Sequence, residues 1–125
     1  MLLLVFVLMF LDLRLLGQSD WVRRLIGRVD LGHGATVFGT NAMLSQIMSN
    51  VPATILLSQY SSDWQHLAWG ADVGGFGLVI GSLASLIALR LGRQPGGLRA
   101  FHAWSLPFFL CVAGSTGLWL LLHSG

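Results

Sequence analysis

Apolar residues run along this chain in four long blocks broken by short polar or basic connectors, the spacing of helices at membrane depth. The first block, Leu2 to Leu16, is interrupted by Asp12 and Arg14 and predicts a transmembrane helix over 2–16. At ~1.5 Å per residue it reaches roughly 22 Å, short of the ~30 Å hydrocarbon core, which implies further residues of the same span upstream. Between 18 and 31 the pattern changes. Trp21, Val22, Leu25, Ile26 and Val29 recur at helical spacing, with Asp20, Arg23, Arg24 and Arg28 across from them. That pattern predicts a basic amphipathic helix lying in the headgroup plane, although a solvated connector would carry the same charges.

The block from Ala35 to Ser58 is apolar enough for lipid depth yet rich in small and amide side chains, and Ser49-Asn50-Val51-Pro52 stands at its middle. Pro52 removes a backbone donor and disfavours helix at Val51, so a break is expected there. Two half-helices too short to span predict a re-entrant hairpin over 35–58 with a polar tip. After Ser61-Ser62-Asp63, the stretch 67–91 carries five glycines between Gly70 and Gly81, then the helix-favouring run Ser82 to Arg90. This reads as a broken transmembrane helix. Phe101 to Leu122 is long enough, at about 33 Å, to cross fully. Its cluster Ala113-Gly114-Ser115-Thr116-Gly117 suits either close helix packing or a lipid face.

Composition sharpens this picture. Of 125 residues, 54% are hydrophobic and 10% charged, with no Lys and no Glu. A soluble domain needs about a quarter charged residues. The fold class expected is therefore all-α, a polytopic membrane protein fragment with a re-entrant hairpin and a discontinuous transmembrane helix, in one domain over 1–125. The net charge of +2 comes from Arg in two clusters lying between apolar blocks, which argues against a nucleic-acid surface. By the positive-inside bias, the Arg90–Arg99 connector is cytoplasmic. A hairpin then leaves Arg23, Arg24 and Arg28 outside, against that bias, which a surface-lying helix tolerates. The opening residues lack a basic n-region and a cleavage site, so they do not read as a signal peptide.

Two neighbouring interrupted segments point to a transporter site, because half-helix N-termini attract anions and unwound carbonyls coordinate cations. Ser49, Asn50 and Thr54 around one break, with Gly74, Gly75, Gly81 and Ser82 around the other, supply such groups. Two kinked helices whose polar residues bond each other would use the same residues. Asp72 is the one acid in the glycine-rich membrane segment, five residues beyond Leu67, a coupling site for a proton or sodium or else an interfacial cap. His33, His66, His102 and His123 lie near segment ends and read as solvated; Cys111 reads as a packed small hydrophobe. No nucleophile elbow, phosphate loop or carboxylate pair marks an enzyme, and no metal-site or cofactor signature is present.

The run Ser-Asn-Val-Pro-Ala-Thr over 49–54, followed by Gly-Ala-Asp-Val-Gly-Gly-Phe-Gly-Leu-Val-Ile-Gly-Ser-Leu-Ala-Ser over 70–85, resembles the C-terminal end of the ion transporter superfamily. That superfamily includes citrate and dicarboxylate carriers, arsenite permeases and sodium/proton antiporters. The resemblance implies an inverted-repeat secondary transporter of the bacterial or archaeal inner membrane, with this chain ending the second repeat. It also implies a small anion bound between the breaks, Na+ or H+ as coupling ion, a missing first repeat as partner, and a homodimer as a compatible assembly. Ser49, Asn50 and Thr54 match the hairpin tip; Asp72, Gly74, Gly75, Gly81 and Ser82 match the second break. Phe76, Leu78 and Val79 replace the Asn, Thr and Pro of many relatives, leaving backbone carbonyls and Ser82 at that break. A sodium/proton antiporter, or a non-transporting membrane subunit or scaffold, is the alternative.

Overall fold

The computed structural model describes residues 1–123, and these are all-helical. Helix α1 (Leu2–Gln18) meets α2 (Asp20–Ile26) at Ser19 with a bend of 72°. Ser19 makes the corner: its hydroxyl donates to the Leu16 carbonyl at 2.7 Å and accepts from the Val22 N–H at 3.4 Å. Helix α2 is shorter than the 18–31 pattern implied. Gly27 closes it, and Val22 and Ile26 turn into the core while Trp21 and Leu25 stay exposed. In the loop that follows, the Gly32 N–H and the His33 imidazole hold the Asp30 carboxyl below its usual range.

Helices α3 (Gly34–Met48) and α4 (Asn50–Leu57) fold back on each other at Ser49, so that Asn41 meets Thr54. The break falls at Ser49 rather than at Val51-Pro52. Pro52 is the third residue of α4, where its missing N–H is one of the orphan donors of any helix start. In a continuous helix its ring would collide with the carbonyl of Met48, so the chain leaves the helix between the two.

Helix α5 (Trp64–Gly74) returns beside α3 in the same direction, with Leu67 opposite Asn41 and Gly74 against Ser45. A Cβ on Gly70 would lie 2.8 Å from Asn41 Cβ, and one on Gly74 2.5 Å from Ser45 Cβ. This pair of glycines, four apart, lets the two backbones approach. Helix α5 therefore ends level with the hairpin tip. A loop with one 3-10 turn, Val79–Gly81, leads to α6 (Leu83–Gly92), and α7 (Gly97–His123) runs back antiparallel to α5, Trp119 against Trp69.

Helix α3 is the hub. One core cluster joins Val22, Ile26, Val37, Leu56, Leu57 and Leu67; the other joins Phe38, Ala42, Val73, Phe109 and Leu120. Helix α1 docks through its end, where Gln59 Nε2 donates to the Leu13 carbonyl at 3.0 Å and the Tyr60 hydroxyl to that of Gly17. Among the described residues α7 is the helix long and apolar enough to cross a bilayer by itself, while α1 and α2 meet that standard jointly as the bent pair. Helix α7 buries Phe109 and Leu120, α6 buries nothing, and most leucines of α1 face outward. Apolar surface of this extent belongs in lipid or against further protein.

The close contact of α3 and α5 gives a testable consequence. Gly74→Val should lower unfolding stability by about 1–3 kcal/mol, by forcing the α3–α5 contact apart, while Gly39→Ala, with open space at its Cβ, should be neutral or slightly stabilising. Thermal unfolding in detergent reads both; equal effects would remove the glycine contact as the cause.

Candidate functional site

The two interrupted stretches meet. Gln46, on the last turn of α3, holds the second break with its carboxamide. Its Nε2 donates to the Gly74 carbonyl at 2.8 Å and the Phe76 carbonyl at 3.0 Å, and its Oε1 accepts from the Leu78 N–H at 2.8 Å. One side chain thus replaces the backbone partners that the chain loses where α5 stops. From the other side, α7 contributes Ser105, whose hydroxyl accepts from the Gly77 N–H at 2.9 Å. His102 Nε2 accepts from the Val79 N–H at 3.3 Å, and its Nδ1 donates to the Leu98 carbonyl at 2.8 Å, which fixes the tautomer. Gly77, at φ +94°, makes the bend that brings these groups round, and a Cβ there would strike Gln46.

The hairpin tip reaches the same level. Asn50 Nδ2 donates to the Ala71 carbonyl at 3.3 Å and would be 3.3 Å from a Cβ on Gly75; its Oδ1 accepts from the Val51 N–H at 3.0 Å. Gly81 packs against the Gly74 carbonyl, closing the 3-10 turn onto the end of α5. Ser49 joins the half-helices at φ 75°, ψ 154°, a region open essentially to glycine, and its carbonyl accepts from the Ala53 N–H at 3.1 Å.

Of the residues expected at the site, Ser49, Asn50, Gly74, Gly75 and Gly81 are gathered here. Ser82 begins α6 one residue on, and its side chain caps nothing. Thr54 is turned away: one turn below Asn50, it donates to the Asn50 carbonyl at 2.7 Å and receives Asn41 Nδ2 at 2.9 Å. It lines a cleft of about 880 Å³ between α1 and α4. Asp72 points the other way, into a cleft of about 470 Å³ between α5 and α7 with Trp69, Ser115, Thr116 and Trp119.

Sequence reasoning missed four residues that build the site. Asn41, fully buried, ties α3 to α4 and α5, adding a 2.7 Å bond to the Leu67 carbonyl. Gln46 and Ser105 carry the second break, and His102, read as a solvated interfacial residue, is a half-buried acceptor for it. The available signal was the cost of an amide at lipid depth, which demands a partner.

The fold defines an all-helical integral membrane protein of the inner membrane, with a long apolar helix and two interrupted helical stretches that meet. The chain is similar to inner membrane protein YbiR of Escherichia coli, 44% identical over 112 residues covering 90% of this chain and 30% of that protein. It is also similar to uncharacterized transporter MJ0456 of Methanocaldococcus jannaschii, 38% identical over 91 residues, 73% of this chain and 25% of that one. The chain thus spans under a third of the length of the curated relatives it matches. No family model matches, and no solved structure does.

The backbone at Ser49 separates a structural role from a functional one. A non-glycine residue in that region costs about 1–3 kcal/mol. Ser49→Gly should therefore raise the unfolding midpoint, by about 1 kcal/mol of stability, while reducing whatever activity uses the hydroxyl. A variant no more stable than the parent would show that Ser49 is not strained.

Proposed function

We propose that this chain forms one half of the translocation site of a secondary active transporter for a small anion, of citrate, dicarboxylate or arsenite type, coupled to Na+ or H+. The observation that carries the reading is the meeting of two backbone breaks at one level of the fold, near the middle of the helix that would cross the bilayer. Helix α7 has 27 residues and a length of ~40 Å, with Leu110 at its middle. Ser105 and Phe109, which flank Gly77, lie within about 8 Å of that middle along the axis. Non-helical backbone at such depth is tolerated where protein or a wet cavity surrounds it.

What the breaks offer an anion follows from their hydrogen bonds. Gln46, Ser105 and His102 are committed to holding the loop. The first N–H groups of α6 have no intrahelical acceptor, and no side chain caps them. With the Ser82 and Ser49 hydroxyls they make a concentration of donors at a positive helix end, while the start of α4 adds little, its Val51 and Ala53 N–H groups being bonded and Pro52 having none. The name of the relative in M. jannaschii, an uncharacterized transporter, supports the same role. A related repeat from the rest of the protein would supply the facing half.

Uptake into proteoliposomes holding the full-length protein, tried with labelled citrate, succinate and arsenite, tests this. Asn50→Ala should cut uptake at least tenfold with membrane insertion unchanged, because it frees the hairpin tip from the α5 end. Uptake by that variant at the parent's rate would remove the tip from the site.

A further inference from the structure

We infer that Asp72, with the Ser115 and Thr116 hydroxyls of α7, forms a binding site for a monovalent, sodium-sized cation, separate from the breaks. The cleft of about 470 Å³ that these residues share lies between α5 and α7. Asp72 and Ser115 are exposed and Thr116 half-buried; Ser115 and Thr116 are five and six residues past the middle of α7, or roughly 8–9 Å, which is within the hydrocarbon depth once α7 crosses a bilayer. A carboxylate at that depth needs a counter-charge.

None comes from the chain's own bases. Among the described residues Asp72 has no hydrogen bond or ion pair to its side chain, and helices α3 and α4, packed on the other face of α5, carry no titratable side chain. The seven Arg lie on α1, on α2 and the loop after it, and around the α6–α7 elbow. The imidazoles that pack on Trp69 and Trp119 are engaged: His66 Nδ1 with Asp63 at 2.7 Å, and His123 Nδ1 with the Trp119 carbonyl at 2.9 Å.

The donor set names the ligand. Ser115 Oγ gives its proton to the Cys111 carbonyl at 2.7 Å, leaving its lone pairs to accept. One carboxylate and two hydroxyls are hard oxygen donors that balance a single positive charge, and the Trp69 and Trp119 rings add a wall that favours cations. Among the described residues no group of three His, Cys, Asp or Glu exists to hold a divalent metal. The site also bears on the breaks: the Asp72 carbonyl accepts from the Gly75 N–H at 3.3 Å, and the neighbouring Ala71 carbonyl takes Asn50. As the seat of the coupling ion it rests on the transport reading; as a binding site it stands alone.

The test is the unfolding midpoint of the full-length protein in NaCl, KCl and choline chloride at equal ionic strength, with binding of radioactive sodium measured in parallel. Sodium should stabilise beyond choline, Asp72→Asn should abolish that difference, and Thr116→Val, which keeps the charge, should weaken sodium binding roughly tenfold. Identical midpoints in the three salts, or a sodium response that survives Asp72→Asn, would overturn the site and point to a proton or a basic side chain from the rest of the protein. Should Asp72→Asn fail to fold, undiminished sodium binding by Thr116→Val overturns it. A sodium response with no anion uptake keeps the site and sinks the transport reading; uptake without a sodium response does the reverse.

Discussion

A carboxamide cannot be left bare in hydrocarbon, and the one on Gln46 is answered by three backbone groups of a neighbouring, unwound segment. The rest of the arrangement depends on that exchange. Without it, the end of α5 and the loop after it would hold two carbonyls and an N–H without protein partners, costly wherever water is scarce. With it, the loop is pinned to the same turn of α3 that leads into the hairpin tip, and the two interruptions become one structure.

The polar residues near the breaks divide by what they touch. Asn41, Gln46, Thr54, Ser105 and His102 satisfy the main chain or each other, and act as scaffold. Ser49 and Ser82 stand at helix starts without side-chain caps, and Ser49 holds a backbone conformation unfavourable for its residue type. Such a conformation costs about 1–3 kcal/mol and is held in place by the packing of the two half-helices around it. The small residues serve the scaffold: Gly70 and Gly74 bring α5 against α3 closely enough for Asn41 and Gln46 to reach across.

Much of this organisation was legible in the chain. Pro52 and the run of glycines from Gly70 to Gly81 announce departures from helix, because one lacks a donor and the others cost entropy in a helix interior. The long apolar run at the end of the chain announces α7. Less legible was the position of the first break, since Pro52 acts one turn upstream, on the carbonyl of Met48. The pairing of Gln46 with residues 74–78 was not legible at all: it is a contact across some thirty residues, set by how α3 and α5 pack. Periodicity placed Val22 and Ile26 on one face of α2 but could not tell a lipid surface from the core that buries them. For the same reason Thr54 and Asp72, both expected at one site, face different clefts: on α4 and α5 each lies on the side away from the break.

Backbone amide exchange at Leu78 in the full-length, membrane-embedded protein tests the central claim most directly. The Gln46 bond predicts that the Leu78 N–H is protected, and that Gln46→Leu speeds its exchange about tenfold to a hundredfold while the amides of α3 stay protected. Exchange at the open-chain rate in the parent, or an unchanged rate in the variant, would contradict it.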